Sequence, residues 1–169
     1  KTGETFDGPL SAFNDFPQRA IYQNKTLSPH IRAMDVVRQL TFDEALSLIS
    51  GYDKFYFPGV PRLGLRPVFM ADASQGIRLA TNTHGFTKDD FTTSFPGTEA
   101  LASTWNPDLA KQMGEAIVQE CRGYGVDILL GPGLNLQGFS VSGRNFEYMG
   151  EDPFLTSKMA VSYVKGVQS

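Results

Sequence analysis

One cysteine, one tryptophan and two histidines are spread over 169 residues, and each scarcity closes off a class of protein. A lone cysteine, Cys121, forms no internal disulfide, so this is not a scaffold stapled by sulfur. It falls on the apolar face of a predicted helix and reads as core packing. His84 has no partner at metal-ligand spacing and reads as solvent-exposed; no metal or organic cofactor is expected. No apolar run approaches the roughly 20 residues that span a bilayer, and the opening KTGETFDGPL lacks the apolar core of a signal peptide. With a net charge of −3 the chain carries neither a nucleic-acid footprint nor a basic membrane-binding face. Internal repeats, low-complexity tracts and charge blocks are likewise missing. What remains is a chain long enough for one sizeable core, with no need for a second domain.

Helix signals are clear. Ser28-Pro29 opens a helix carried by Ile31, Met34, Val37 and Leu40, and Thr41 with Glu44 has capping-box spacing for a second helix that stops at Gly51. Tyr52 to Arg66, rich in Gly, Pro and aromatics, reads as an ordered loop. Asn106-Pro107 starts the best helix in the chain, with Leu109, Met113, Ala116, Ile117 and Cys121 on one face and Gly123 and Gly125 at its end. Asp152-Pro153 starts the last, along Leu155, Met159, Ala160, Tyr163, Val164 and Val167.

Three strands are expected: Pro67 to Asp72 (PVFMAD), a short one from Phe91 to Phe95, and Val126 to Leu130 (VDILL), whose apolar run predicts cover on both faces. Thr81 to Asp90 reads as a surface loop. Helices alternating with short apolar strands predict βα units and a mainly parallel sheet. In such sheets ligands bind beyond the carboxyl ends of the strands. Asp72 ends one strand and Arg144 follows another, so a closed parallel sheet brings both to one rim. Sugar hydroxyls donate to a carboxylate and accept from a guanidinium, in charge-assisted bonds about twice as strong as neutral ones. Glu147, three residues beyond Arg144, is placed to orient it. Spacing alone leaves open whether this pair binds ligand or only staples a loop to the rim.

Taken in order, PRLGL, MADASQGIR, TSFPGTEALASTWNPDLAKQMGEAI, GVDILLGPGLNL, SGRNFEYMGEDPFL and YVKGVQS resemble glycoside hydrolase family 3, the β-glucosidases and related exo-acting enzymes. The resemblance implies an α/β fold, specifically the amino-terminal half of a TIM-type (β/α)8 barrel with preceding helices. Residues 1–66 then form the helices and packing loop that lead in, and residues 67–169 the first βα units of one incomplete barrel domain. It implies that Asp72, in the place of the D-G-P-x-G aspartate, and Arg144, in the G-R-N-F-E motif, bind hydroxyls in the first sugar subsite. Arg78 fills the arginine place of the first motif as a further substrate-binding residue, and Glu147 is the acid that positions Arg144. The expected ligand is a β-linked oligosaccharide or glycoside, in a periplasmic or secreted setting ahead of a cytoplasmic one.

Three departures qualify the match. Asp72-Ala73-Ser74 replaces Asp-Gly-Pro, and Gln137 to Val141 (QGFSV) lacks the basic or Asn-Pro residues frequent in the family. Family members also continue into a Lys-His motif and then reach an aspartate nucleophile, whereas this sequence ends at Ser169. No catalytic residue is therefore assigned within it. A complete barrel takes about 250 residues, so the remainder of the barrel, in the same or another chain, is an expected partner and the chain alone is expected to be inactive. The alternative is a catalytically silent carbohydrate-binding or assembly module. A nucleotide site in GPGLNLQG is weaker, because the G-x-G-x-x-G spacing is not met.

Overall fold

The computed structural model describes residues 20–51, 55–79, 86–87 and 89–169. The expectation for His84 lies outside them. Two compact units emerge, one from Lys1–Tyr52 with Phe57–Pro67, the other from Asp53–Tyr56 with Val68–Ser169.

The first unit is built on two consecutive helices, α1 (Pro29–Gln39) and α2 (Phe42–Ser50). The Ser28 hydroxyl accepts from the Ile31 N–H, and Thr41 and Glu44 form the reciprocal capping box that their spacing predicts. Arg62, from the PRLGL turn, then locks this corner. Its guanidinium donates to both Glu44 carboxylate oxygens at 2.9 and 2.7 Å and to the Gln39 carbonyl at 2.6 Å. Those bonds from Arg62, followed by the one from the Thr41 N–H, pull the Glu44 carboxyl down from 4.5 to about 2.

The second unit holds the parallel sheet. Strand β1 (Tyr56–Phe57) enters it through Tyr56, whose ring stacks on Phe69 at 4.6 Å, while the Phe55 carbonyl accepts from the Met70 N–H at 2.8 Å. Strand β2 (Val68–Asp72) is followed by α3 (Thr98–Ser103), α4 (Pro107–Gly123), β3 (Ile128–Leu130) and α5 (Pro153–Val167). β2 and β3 run parallel, with Met70 opposite Ile128, Ala71 opposite Leu129 and Asp72 opposite Leu130. Burial along β2 alternates, Phe69 and Ala71 being buried while Val68, Met70 and Asp72 are only partly so. One face of the sheet therefore packs on helices and the other carries the Asp72 side chain.

The helix side is close-packed. Ile117, Met159 and Tyr163 are wholly or almost wholly buried between α4 and α5, together with Cys121 and Met113. The two helices meet through glycines. A β-carbon at Gly114 would lie 2.3 Å from the Tyr163 carbonyl oxygen, and one at Gly166 would lie 2.1 Å from that of Lys111. Asn106 caps α4 by accepting from the Asp108 and Leu109 N–H groups, and Asp152 caps α5 by accepting from that of Phe154.

Two strand expectations are corrected. Residues 91–95 form no strand, because side chains and a loop take their backbone groups. Glu120 on α4 accepts from the Thr93 N–H, the Tyr124 hydroxyl donates to the Phe91 carbonyl, and the Phe95 N–H goes to the Gln75 carbonyl. The strand read as Val126–Leu130 is Ile128–Leu130, and it is not covered on both faces: Ile128 and Leu130 are 40% and 39% exposed. Val126 closes the end of α4 by donating to the Cys121 carbonyl. Asp127 bridges to Phe69, donating from its N–H to the Phe69 carbonyl and accepting the Phe69 N–H on its carboxylate. No helix among the described residues is long and apolar enough to cross a membrane.

Gly166→Ala is expected to lower stability by about 2 kcal/mol or more through helix separation. Gly123→Ala, which meets open space, is expected to stay within about 0.5 kcal/mol of the parent; urea unfolding of both checks this. Because the folded-state pKa of Glu44 lies below its unfolded value, its contribution is complete above about pH 4.5 and is lost as pH falls toward 2. Acid unfolding of Glu44→Gln beside the parent is expected to show a difference that closes over that window.

Candidate functional site

Four charged side chains, Asp72, Arg78, Arg144 and Glu147, gather at the carboxyl edge of the sheet. Asp72 closes β2 on the open face, and the backbone just beyond it is clamped from three directions. The Ala73 N–H donates to the Leu130 carbonyl at 3.4 Å, the Arg78 N–H donates to the Asp72 carbonyl at 2.8 Å, and the Tyr163 hydroxyl donates to the Ala73 carbonyl at 3.2 Å. Tyr163 reaches this point from α5 through the core. Burial pushes its phenol well above the ordinary range, so it remains a neutral donor.

The second half of the site follows β3. Gly131-Pro132 is a cis peptide, and Gly133 comes so close to the next loop that a β-carbon there would lie 2.4 Å from the Glu147 carbonyl oxygen. Gly133 of GPGLNLQG thus lets two loops touch. No α-helix begins after these glycines until Pro153, so they do not form a phosphate-binding turn at the start of an α-helix. The loop is held by Gln137, whose amide donates to the Asn145 carbonyl at 2.7 Å, and by Asn145, whose amide donates to that of Phe139 at 2.8 Å.

Residues 145–147 make one short turn of 3-10 helix, which turns Glu147 back onto Arg144. The guanidinium donates twice to this carboxylate, from Nε at 3.2 Å and from Nη2 at 2.6 Å, a planar fork that fixes its orientation. The Glu147 side chain is 22% exposed and that of Arg144 69% exposed. The acid is tucked behind and the base is presented. Hydrogen bonding to Glu147 raises the Arg144 pKa, and the Asp72 charge adds a smaller push in the same direction.

A cavity of about 400 Å³ joins the two halves, lined by Asp72, Gln75, Arg78, Arg144, Phe146 and Glu147 together with the backbone of the Gly131–Gly133 turn. All four residues singled out from the sequence border it. Arg78 Nη1 stands 3.7 Å from Asp72 Oδ2, beyond hydrogen-bond range but near enough to balance its charge. Gln75 and Phe146 were not foreseen. Each lies inside a motif string, at a position where only the three-dimensional approach of the two loops gives the side chain or carbonyl a task. Asp152 is occupied as a helix cap and Glu151 is absent from the lining, so neither adds a carboxyl to the cavity. Among the described residues no group of three His, Cys, Asp or Glu side chains is placed to hold a metal.

A parallel α/β rim with a carboxylate and an oriented guanidinium across one cleft defines the class of site found at barrel mouths. The glycosyl hydrolase family 3 N-terminal domain profile matches residues 62–169, more than half of the chain, and the chain belongs to that family. It is 40% identical over 166 residues to beta-glucosidase BoGH3A of Bacteroides ovatus, covering 95% of this chain and 22% of that protein. Thermostable beta-glucosidase B of Acetivibrio thermocellus is 38% identical over 137 residues, covering 79% of this chain and 18% of that protein. The solved beta-glucosidase 3B from Thermotoga neapolitana in complex with glucose superposes with a TM-score of 0.72 at 37% identity, over 80% of this chain and 21% of that one. The chain spans about a fifth of the length of these relatives. Its fold is that of part of an α/β barrel.

Proposed function

We propose that the chain supplies part of the first sugar subsite of a retaining, exo-acting, β-glucosidase-like glycoside hydrolase. The observation that carries this reading is the convergence of Asp72 and Arg144 on one cavity, with Arg144 held by both oxygens of Glu147. A terminal sugar residue offers hydroxyls that both donate and accept. Asp72 accepts hydrogen bonds from one pair of hydroxyls, and the remaining N–H groups of Arg144 donate to the oxygens of another. Arg78, 3.7 Å from the Asp72 carboxylate, adds a further donor at the rim. The cavity, at about 400 Å³, falls within the usual range for small-molecule sites. The glucose complex of the Thermotoga neapolitana protein and the names of the curated relatives support β-glucosidase as the first choice of activity, ahead of β-xylosidase or N-acetylhexosaminidase.

Retention requires a nucleophile and an acid/base about 5 to 5.5 Å apart. The two acids lining the cavity are taken, Asp72 for binding and Glu147 for holding Arg144, and Asp152 caps a helix; the reading therefore assigns both catalytic carboxyls to the remainder of the barrel. The half-exposed Ile128 and Leu130 on the open face of the sheet support further strands completing the barrel.

In the full-length enzyme, Asp72→Asn and Arg144→Lys are each expected to weaken inhibition by the free monosaccharide product at least about tenfold, the loss of a charge-assisted bond. The purified 169-residue chain is expected to give no turnover of an aryl β-glucoside. Turnover by that species alone would contradict the assignment of both catalytic groups elsewhere.

A further inference from the structure

Asp72 and Arg144 lie on separate loops, and the sugar contacts proposed for them need a fixed distance between those loops. Gln75 spans the gap. Three residues beyond Asp72, its side-chain Nε2 donates to the Phe146 carbonyl oxygen at 2.8 Å, and Phe146 immediately precedes Glu147, which grips Arg144. Its own backbone is immobilised. The Gln75 carbonyl accepts from the Phe95 N–H at 2.8 Å, and next to it Gly76, at φ +121°, approaches so closely that a β-carbon would lie 2.1 Å from the Thr93 carbonyl oxygen. A third wall stands at the start of α3, where a β-carbon on Gly97 would sit 3.5 Å from Gln75 Nε2 and 3.7 Å from the Phe146 oxygen. The Gln137 and Asn145 amides, by contrast, tie the 137–150 loop only to itself.

We infer that Gln75 is a positioning residue for the sugar subsite: its amide straps the Asp72 loop to the Arg144–Glu147 turn and sets the separation of the carboxylate from the guanidinium. This rests on the hydrolase reading for its ligand, though not for the geometry of the strap. Glutamine suits the task because it reaches across with a donor that carries no charge into a cavity already holding Asp72, Arg78, Arg144 and Glu147. Glutamate at the same position turns a carboxylate toward a carbonyl oxygen at neutral pH, and regains an O–H donor only when protonated.

The test uses the full-length protein, calorimetry with glucose, xylose and N-acetylglucosamine, and turnover of the matching aryl glycosides. For the sugar bound most tightly, Gln75→Ala is expected to weaken affinity about fivefold, the worth of one net hydrogen bond, and to lower kcat/KM by a similar factor. Its melting temperature is expected to move by no more than about 3 °C. Gln75→Glu is expected to be at least as impaired at pH 7, and its affinity relative to the parent is expected to recover as pH falls through about 4.5. Parent-like affinity in both variants, or an impairment of Gln75→Glu that is the same at every pH, overturns the positioning role. A parent protein that binds sugar without cleaving it removes the hydrolase reading and leaves Gln75 standing; one that neither binds nor cleaves removes both.

Discussion

The parallel pairing of β2 with β3, in the register that sets Asp72 opposite Leu130, is the constraint on which the rest of the site depends. A shift of one residue would send the Asp72 side chain to the helix side of the sheet, where Phe69 and Ala71 already occupy a close-packed core. The register is reinforced from outside the ladder. Asp127 lends its carboxylate to the Phe69 N–H at one end, and Tyr163 lends its hydroxyl to the Ala73 carbonyl at the other. The glycine contacts between α4 and α5 place Tyr163 within reach of that carbonyl. Packing on one side of the sheet therefore determines chemistry on the other.

At the rim, two carboxylates with the same intrinsic chemistry have different tasks because their surroundings differ. Glu147 is tucked under Arg144 and gives it both oxygens, which leaves little of it for a ligand. Asp72 stands 3.7 Å from Arg78, beyond hydrogen-bond range, and faces the cavity. On the proposed reading, this division leaves Asp72 for the ligand and Glu147 for the arginine. It explains why the arginine, though largely exposed, presents a defined set of donors.

The helices of this chain were legible in its sequence because their signals are local: Ser28, Thr41 with Glu44, Asn106 and Asp152 all cap the helices that their positions predict. Asp72, Arg78, Arg144 and Glu147 were legible as a group because they follow strand-like runs and lie in motifs shared with a family. The failures came where distant side chains intervene. Glu120 and Tyr124 capture the backbone of residues 91–93 and prevent a strand there, and the Gln75 amide finds Phe146 across 71 positions. Ile128 and Leu130 have the composition of buried strand residues, yet hydrophobicity alone does not tell which face of a strand has a neighbour.

The central claim is that Asp72 and Arg144 address the same sugar. A crystal structure of the full-length protein with its monosaccharide product bound tests it most directly. The account predicts the Asp72 carboxylate and the Arg144 guanidinium both within hydrogen-bond distance of hydroxyls on one ring, with Glu147 behind the arginine and clear of the ligand. A sugar bound at another place on the molecule, or touching only one of the two side chains, would contradict it.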